Sequence, residues 1–341
     1  MTVLDPFGAA ADSELPTVAL ALDPEEVQAE FKRGLPRLTG GDGMVRVKSI
    51  AVTRHKPGRR CVIEYDVRVN SPDGSRRKVG LIGKVRVRRF GNEGYRTLDA
   101  VWNGGFDAKS PDGISVPEPV GVIPRFRMWL QRKVTGTEAT FVLLESGGVA
   151  LARRLAEAIH KLHTAGVPTE RSHTMADELK ILREHLPRVA ETKPELGQRI
   201  GRLLEACDRL GAAAPPTGKC GIHRDFYPAQ VLVEGNRLFL VDFDLYCEGD
   251  PALDAGNFLG HLIELSLRQL GDARALADRE HAMEERFVEL TGISARPGIR
   301  AYTTLTLARH VYLSTQFPER TRLTESLLDL CERRLGKHLR S

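Results

Sequence analysis

Nowhere in the 341 residues does an apolar run approach the roughly 18 consecutive residues that a membrane helix requires. The opening stretch, MTVLDPFGAAADSELP, places acids and prolines where a secretion signal needs a basic start and an apolar block, so no such leader is expected. Cysteine is sparse and scattered: five residues, at 61, 207, 220, 247 and 331, with no CxxC spacing. An odd, dispersed set argues against both a disulfide framework and a zinc site, and points to reduced thiols in a cytoplasm. Internal repeats, low-complexity tracts and a GxGxxG loop are also missing.

What is present is an ordinary globular composition, 28% charged and 41% hydrophobic, with an uneven charge. Residues 1–136 carry 23 Lys+Arg against 16 Asp+Glu, a net of +7, whereas residues 137–341 carry 27 against 29, a net of −2. A basic front half suits an anionic ligand such as nucleotide phosphates. Nucleic acid is the weaker reading, because the basic residues are spread over strands and turns without interleaved aromatics.

The front of the chain favours strands and the back favours helices. Residues 1–22 are expected to form an irregular arm. Asp23-Pro24-Glu25-Glu26 then supplies the cap, first-turn proline and acids of a helix running to about Leu35. Three β-rich runs follow between Val45 and Val87, separated by the turn-like HKPGRR and NSPDGSRR. A helix at about 92–103 and two more strands, near VGVIP and RMWLQRKV, complete this part. From LARRLAEAIHKLH (151–163) onward, apolar residues recur at helical spacing, with later helices expected over 256–270, 274–291, 299–315 and 321–337. The expected division is a β-rich lobe over 1–131 and a helical lobe over 132–341.

One segment of the second lobe carries the chemistry. In GIHRDFYPAQVLV (221–233), His223-x-Asp225 precedes a short β-rich run, and Gly235-Asn236 joins it to a second run ending in Asp242-Phe-Asp244. Such a hairpin brings its two feet together, so Asp225 and Asp242 are expected on one side within several ångströms. Two carboxylates held that way repel unless a cation lies between them. With the amide oxygen of Gln230 nearby, the donor set suits Mg²⁺. Phosphoryl transfer uses such a set, with one carboxylate at the attacking hydroxyl and others holding the metal on the phosphates. The competing reading, a polar loop whose aspartates cap nearby backbone, leaves the hairpin and the second acid pair unexplained.

These residues, with Gly249-Asp250-Pro-Ala-Leu-Asp254, resemble the aminoglycoside phosphotransferase/choline kinase family, which has the protein-kinase-like fold. The resemblance spans roughly residues 45–265 and is strongest over 218–260. It implies a two-lobed α+β protein with an antiparallel β N-lobe and a mainly helical C-lobe. Asp225 would be the catalytic base or hydroxyl-orienting group, with His223 supporting its loop. Asp242 would be the principal metal ligand, joined by Gln230 and Asp244. The family usually has asparagine where Gln230 stands. Asp250 and Asp254 would tie the loop to the next helix, or simply cap it. Lys84, mid-strand in LIGKVRVRR, would contact the α- and β-phosphates, with Glu93 or Asp99 as its helix partner. Lys56, Arg59 and Arg60 occupy the place of the phosphate-covering loop and would supply charge directly. The strand around Arg132 and Lys133 would offer backbone groups to the adenine. His160, His163 and Cys220 are set aside as packed or inert residues rather than metal ligands or a nucleophile.

The expected activity is ATP- and Mg²⁺-dependent phosphorylation of a hydroxyl on a small molecule: an aminosugar, amino alcohol, sugar or related metabolite. The alternative is a nucleotide-binding pseudokinase or regulatory protein without phosphotransfer. Neither a nucleic acid nor a membrane is an expected partner.

Overall fold

The computed structural model describes residues 1–39, 43–86 and 93–338, which form two compact units, Met1–Gly136 and Thr137–Ser341. The expected break after residue 131 falls inside a strand, because Arg132 and Lys133 remain in the sheet, donating backbone N–H bonds to Glu118 and Gly80.

The first unit begins with β1 (Thr2–Leu4), α1 (Thr17–Leu22), α2 (Pro24–Gly34) and α3 (Pro36–Thr39). Residues 1–22 are therefore ordered rather than irregular: β1 pairs in parallel with β2 (Met44–Lys56), and Val18, Ala21 and Leu22 of α1 are buried. Elements this short contain too few residues to display a period. The long strands β2, β3 (Arg60–Asn70) and β4 (Arg76–Arg86) alternate buried and open positions, as a sheet covered on one face requires. The helix α4 (Glu93–Val101) and strands β5 (Ile114–Ser115), β6 (Pro119–Ile123) and β7 (Met128–Arg132) follow. Among the described residues the main sheet has six strands in the order β1-β2-β3-β4-β7-β6, antiparallel except at β1–β2. Its buried face packs on α1 and α2, where the Phe31 and Tyr65 rings meet edge-on at 5.0 Å and the Tyr65 hydroxyl donates to the Ala21 carbonyl at 2.8 Å.

The second unit contains β8 (Thr137–Glu138), α5 (Ala139–Val142), α6 (Gly148–Thr164), α7 (Met175–His185), α8 (Pro187–Thr192) and α9 (Gly197–Ala213). Next come β9 (Cys220–Ile222), β10 (Val231–Glu234), β11 (Arg237–Leu240) and β12 (Cys247–Gly249). The chain closes with α10 (Pro251–Leu270), α11 (Ala277–Thr291), α12 (Arg296–Thr315) and α13 (Thr324–His338). Fifteen of the twenty residues of α10 are buried, making it the axis of this unit. Asp250 caps α10 through Ala252 N–H, and Pro251 opens its first turn, so the helix starts five residues before the expected 256.

The crossing of α10 with α12 depends on glycine. A Cβ on Gly256 would stand 2.5 Å from Tyr302 Cβ and 2.8 Å from both the Ile299 carbonyl and the Thr303 amide. We expect Gly256→Ala to lose about 2 kcal/mol in urea unfolding, the overpacking outweighing the gain in helix propensity. Equal stability of the two proteins would show that the crossing can open.

Candidate active site

The hairpin forms as expected, with Val231 opposite Leu240 and Glu234 opposite Arg237. At its foot the Val241 amide donates to the Gln230 carbonyl at 2.9 Å. This brings Asp225, Gln230 and Asp242 together. The Gln230 amide nitrogen reaches toward Asp225 Oδ2 at 3.4 Å and toward the Tyr227 hydroxyl at the same distance. Burial raises the Asp225 carboxyl above its usual range; His223 and Arg309 pull it down, and the Asp242 charge pushes it up.

The loop bearing Asp225 is held by a buried hub. Asp254, fully buried on α10, accepts three hydrogen bonds: from His223 N–H at 2.8 Å, Arg224 N–H at 2.7 Å and the His163 Nε2–H of α6 at 2.9 Å. One turn on, the Asn257 amide donates to the Phe226 carbonyl at 2.9 Å and in turn accepts from the Arg309 guanidinium of α12. Sequence reasoning missed His163 and Asn257. For Asn257 the available signal was its spacing, since Asp254 and Asn257 lie i, i+3 on one helix face. His223 donates from Nε2 to the Val241 carbonyl at 3.0 Å, joining the loop to the hairpin. That bond gives His223 a positioning task.

Arg224, next to Asp225, and Asp242 itself are both left-handed, at φ 67° and 66°. Among the described residues only Arg127 shares this conformation without being glycine. Such backbone costs of order 1 kcal/mol per residue and persists where the surrounding structure over-determines it.

Beside the loop, Tyr227 stacks on His261 at 4.5 Å, and His261 meets His310 edge-on at 4.5 Å. Burial, reinforced by Arg309 and Arg320, lowers His310 to about 3, so its imidazole is neutral at physiological pH. Burial pushes the Cys220 thiol up to about 12, which leaves it protonated and unsuited to nucleophilic attack.

Among the described residues no group of three or more His, Cys, Asp or Glu side chains is placed to hold a metal. Mg²⁺ does not need one: it commonly takes one or two carboxylates and completes its shell with phosphate oxygens and water. The donors here are oxygens, and Gln230, with its nitrogen turned to Asp225, has its carbonyl oxygen at the other end of the amide. The residues fit that ion.

In the first unit, Lys84 of β4 pairs across Val62 and Trp129, and its ammonium lies 5.0 Å from the Trp129 ring. Register puts Lys56, Arg60 and Arg86 directly opposite one another on three adjacent strands, on the same sheet face as Lys84. Like charges set side by side destabilise a sheet, and a bound anion reverses that cost. Arg59 stands at the turn between Lys56 and Arg60. Glu93 is the exposed first residue of α4, whereas Asp99 accepts from the Arg37 guanidinium at 2.5 Å and so has another partner. Gly91-Asn92, just before Glu93 in the chain, lie outside the described residues. The Arg132 and Lys133 amides serve the sheet, and their side chains pair with Glu118 and Glu64.

Residues 97–292 match the model of the phosphotransferase enzyme family (APH). The chain belongs to this family. Solved structures of similar fold include a choline/ethanolamine kinase family protein from Mesorhizobium loti, 14% identical with TM-score 0.53, the match covering 91% of this chain and 94% of that one. A choline kinase from Cryptosporidium parvum Iowa II is 10% identical with TM-score 0.56, covering 93% and 96%. An amicoumacin kinase, solved with AMP-PNP, Ca²⁺ and Ami, is 15% identical with TM-score 0.57, covering 83% and 88%. Comparison with curated proteins gave no match. The fold is the protein-kinase-like one of these neighbours, with an antiparallel-rich sheet in the first unit and helices in the second. Family membership makes phosphoryl transfer the activity class. Among the described residues no helix is long and apolar enough to cross a membrane.

Proposed function

We propose that this phosphotransferase-family protein moves the γ-phosphoryl group of ATP to a hydroxyl of a small molecule in a reaction that requires Mg²⁺. The observation that carries this reading is the gathering of Asp225, Asp242 and Gln230 at the foot of one hairpin, with Asp225 near enough to feel the Asp242 charge. In this reading Asp225 orients the acceptor hydroxyl and takes its proton as the oxygen attacks. Asp242 is the main ligand of Mg²⁺, with Gln230 and Asp244 as further oxygen donors. The bound ion would neutralise charge on the phosphates. Lys84 pairs with the α- and β-phosphates, Glu93 steadies Lys84, and Lys56, Arg59 and Arg60 add positive charge. The strand through Arg132 and Lys133 holds the adenine by groups other than the two amides already bonded in the sheet. The neutral Tyr227–His261–His310 stack favours an uncharged face on the acceptor, such as a sugar ring or the carbon skeleton of an amino alcohol. The five cysteines, all free thiols, suit a cytoplasmic location.

The second reading, a nucleotide-binding protein without transfer, draws support from glutamine at 230. One assay separates them: ADP release from ATP with a panel of aminosugars, amino alcohols and sugars, with and without Mg²⁺, beside Asp242→Asn. We expect acceptor-dependent turnover that needs the metal and falls at least a hundredfold in the variant. Tight ATP binding with no turnover on any acceptor would establish the second reading.

A further inference from the structure

The turn between β2 and β3 is gripped from behind by the N-terminal segment. Lys56-Pro57-Gly58-Arg59 forms a tight turn, with the Arg59 amide donating to the Lys56 carbonyl at 3.0 Å and Gly58 at φ 63°. In such a turn the Gly58 N–H points outward, and it donates to Asp12 Oδ2 at 2.9 Å. The same oxygen accepts from His55 Nε2–H at 2.8 Å, and both of these side chains are only 7% exposed. Asp12 is itself fixed: the Asp5 carboxylate accepts from the Ala9 and Ala10 amides at 2.9 Å, Ala9 and Leu15 are buried, and β1 is paired to β2. The Gly58 N–H, and then His55, hold the Asp12 carboxyl below its usual range.

The side from which Asp12 approaches decides what it does. His55 lies opposite Cys61, whose side chain belongs to the buried sheet face with Ile63 and Tyr65. Lys56 and Arg60 alternate to the other face, where register places them with Lys84 and Arg86. The acid therefore holds the turn on the face away from the cations. It also consumes the backbone N–H that a glycine loop would offer to a phosphate, so anion contacts here fall to side chains.

We propose that Asp12 is a positioning residue for nucleotide phosphates, a strut that fixes the Pro57-Gly58 turn so that Lys56, Arg59 and Arg60 meet the phosphates without reordering. This rests on the phosphotransferase reading of those three cations. It explains how a chain without a glycine-rich loop holds a phosphate-covering turn in place: preorganised charge replaces a flexible backbone cradle.

The test compares ATP with adenosine, which has the base and ribose but no phosphates. Calorimetry on the full chain with Mg²⁺ would measure AMP-PNP and adenosine binding to the unaltered protein, Asp12→Ala and Asp12→Asn. We expect Asp12→Ala to weaken AMP-PNP about five- to tenfold, the scale of one or two lost hydrogen bonds. Adenosine affinity should stay constant, as should the acceptor KM and the kcat at saturating ATP. Asp12→Asn, which keeps an oxygen for Gly58 N–H, should recover part of the loss and serves in place of the alanine variant if that one does not fold. Unchanged AMP-PNP binding in both variants, or equal losses for AMP-PNP and adenosine, would overturn the strut while leaving the phosphotransferase reading intact. Failure of the unaltered protein to bind AMP-PNP would overturn both.

Discussion

Replacing Asp225 with asparagine is expected to lower kcat by about a thousandfold while leaving ATP affinity nearly unchanged. The substitution preserves shape and the contact with Gln230 but removes the carboxylate that, in the proposed reaction, accepts the hydroxyl proton. Because burial raises this carboxyl above its usual range, the acid limb of the kcat/KM profile should lie above ordinary carboxylate values. The sign follows from the role: the base works deprotonated, so the rate falls as pH drops through the raised value. The residual rate of the variant should show no such limb. A loss below tenfold would remove Asp225 from the chemistry and leave its neighbours without a reaction to perform.

The second large effect is on stability. Asp254→Ala removes the acceptor of three hydrogen bonds, two of them buried, and strands the His223 and Arg224 amides beside the His163 ring. Each unsatisfied buried donor costs about 1–3 kcal/mol, so urea unfolding should show a loss of about 4 kcal/mol. Asp254→Asn should fare little better. Oδ2 serves two donors, His163 Nε2–H and His223 N–H, and Oδ1 serves a third, so an amide nitrogen at either position faces a donor. Activity should fall in both, since the left-handed Arg224 is held by this same carboxylate. If both variants unfold as the unaltered protein does, the hub is ornamental and the loop is fixed by β9–β12 pairing alone.

Elements with a long period were legible in the sequence, and so was the hairpin. The strands β2, β3 and β4 each run for eleven residues or more with stretches of alternating burial, and the Gly235-Asn236 turn sits where β10 meets β11. Shorter pieces were not legible: β1 has three residues and α1 six, and each is ordered by partners distant in the chain. The start of α10 was underestimated although Asp250-Pro251 repeats the Asp-Pro signal read correctly at Asp23-Pro24. Here the polar GDPALD motif masked a helix whose first turns are buried. At the site, residue types marked Asp225 and Asp242, but the roles of His163 and Asn257 arise from contacts spanning 91 and 31 residues. Arg132 and Lys133 spend their amides within their own sheet, which residue types alone do not reveal.

The tight crossing at Gly256 and Gly260 carries a consequence for how such a protein diversifies. The helix that presses against α12 through these glycines, where Tyr302 and Thr306 fill the space a Cβ would take, is the one that bears Asp254 and Asn257. A new acceptor cannot be accommodated by sliding that helix, because the aspartate loop would travel with it. Selection for another substrate would have to remodel segments that touch neither glycine, so laboratory evolution should collect its changes in α11, α13 and their connections while α10 stays invariant.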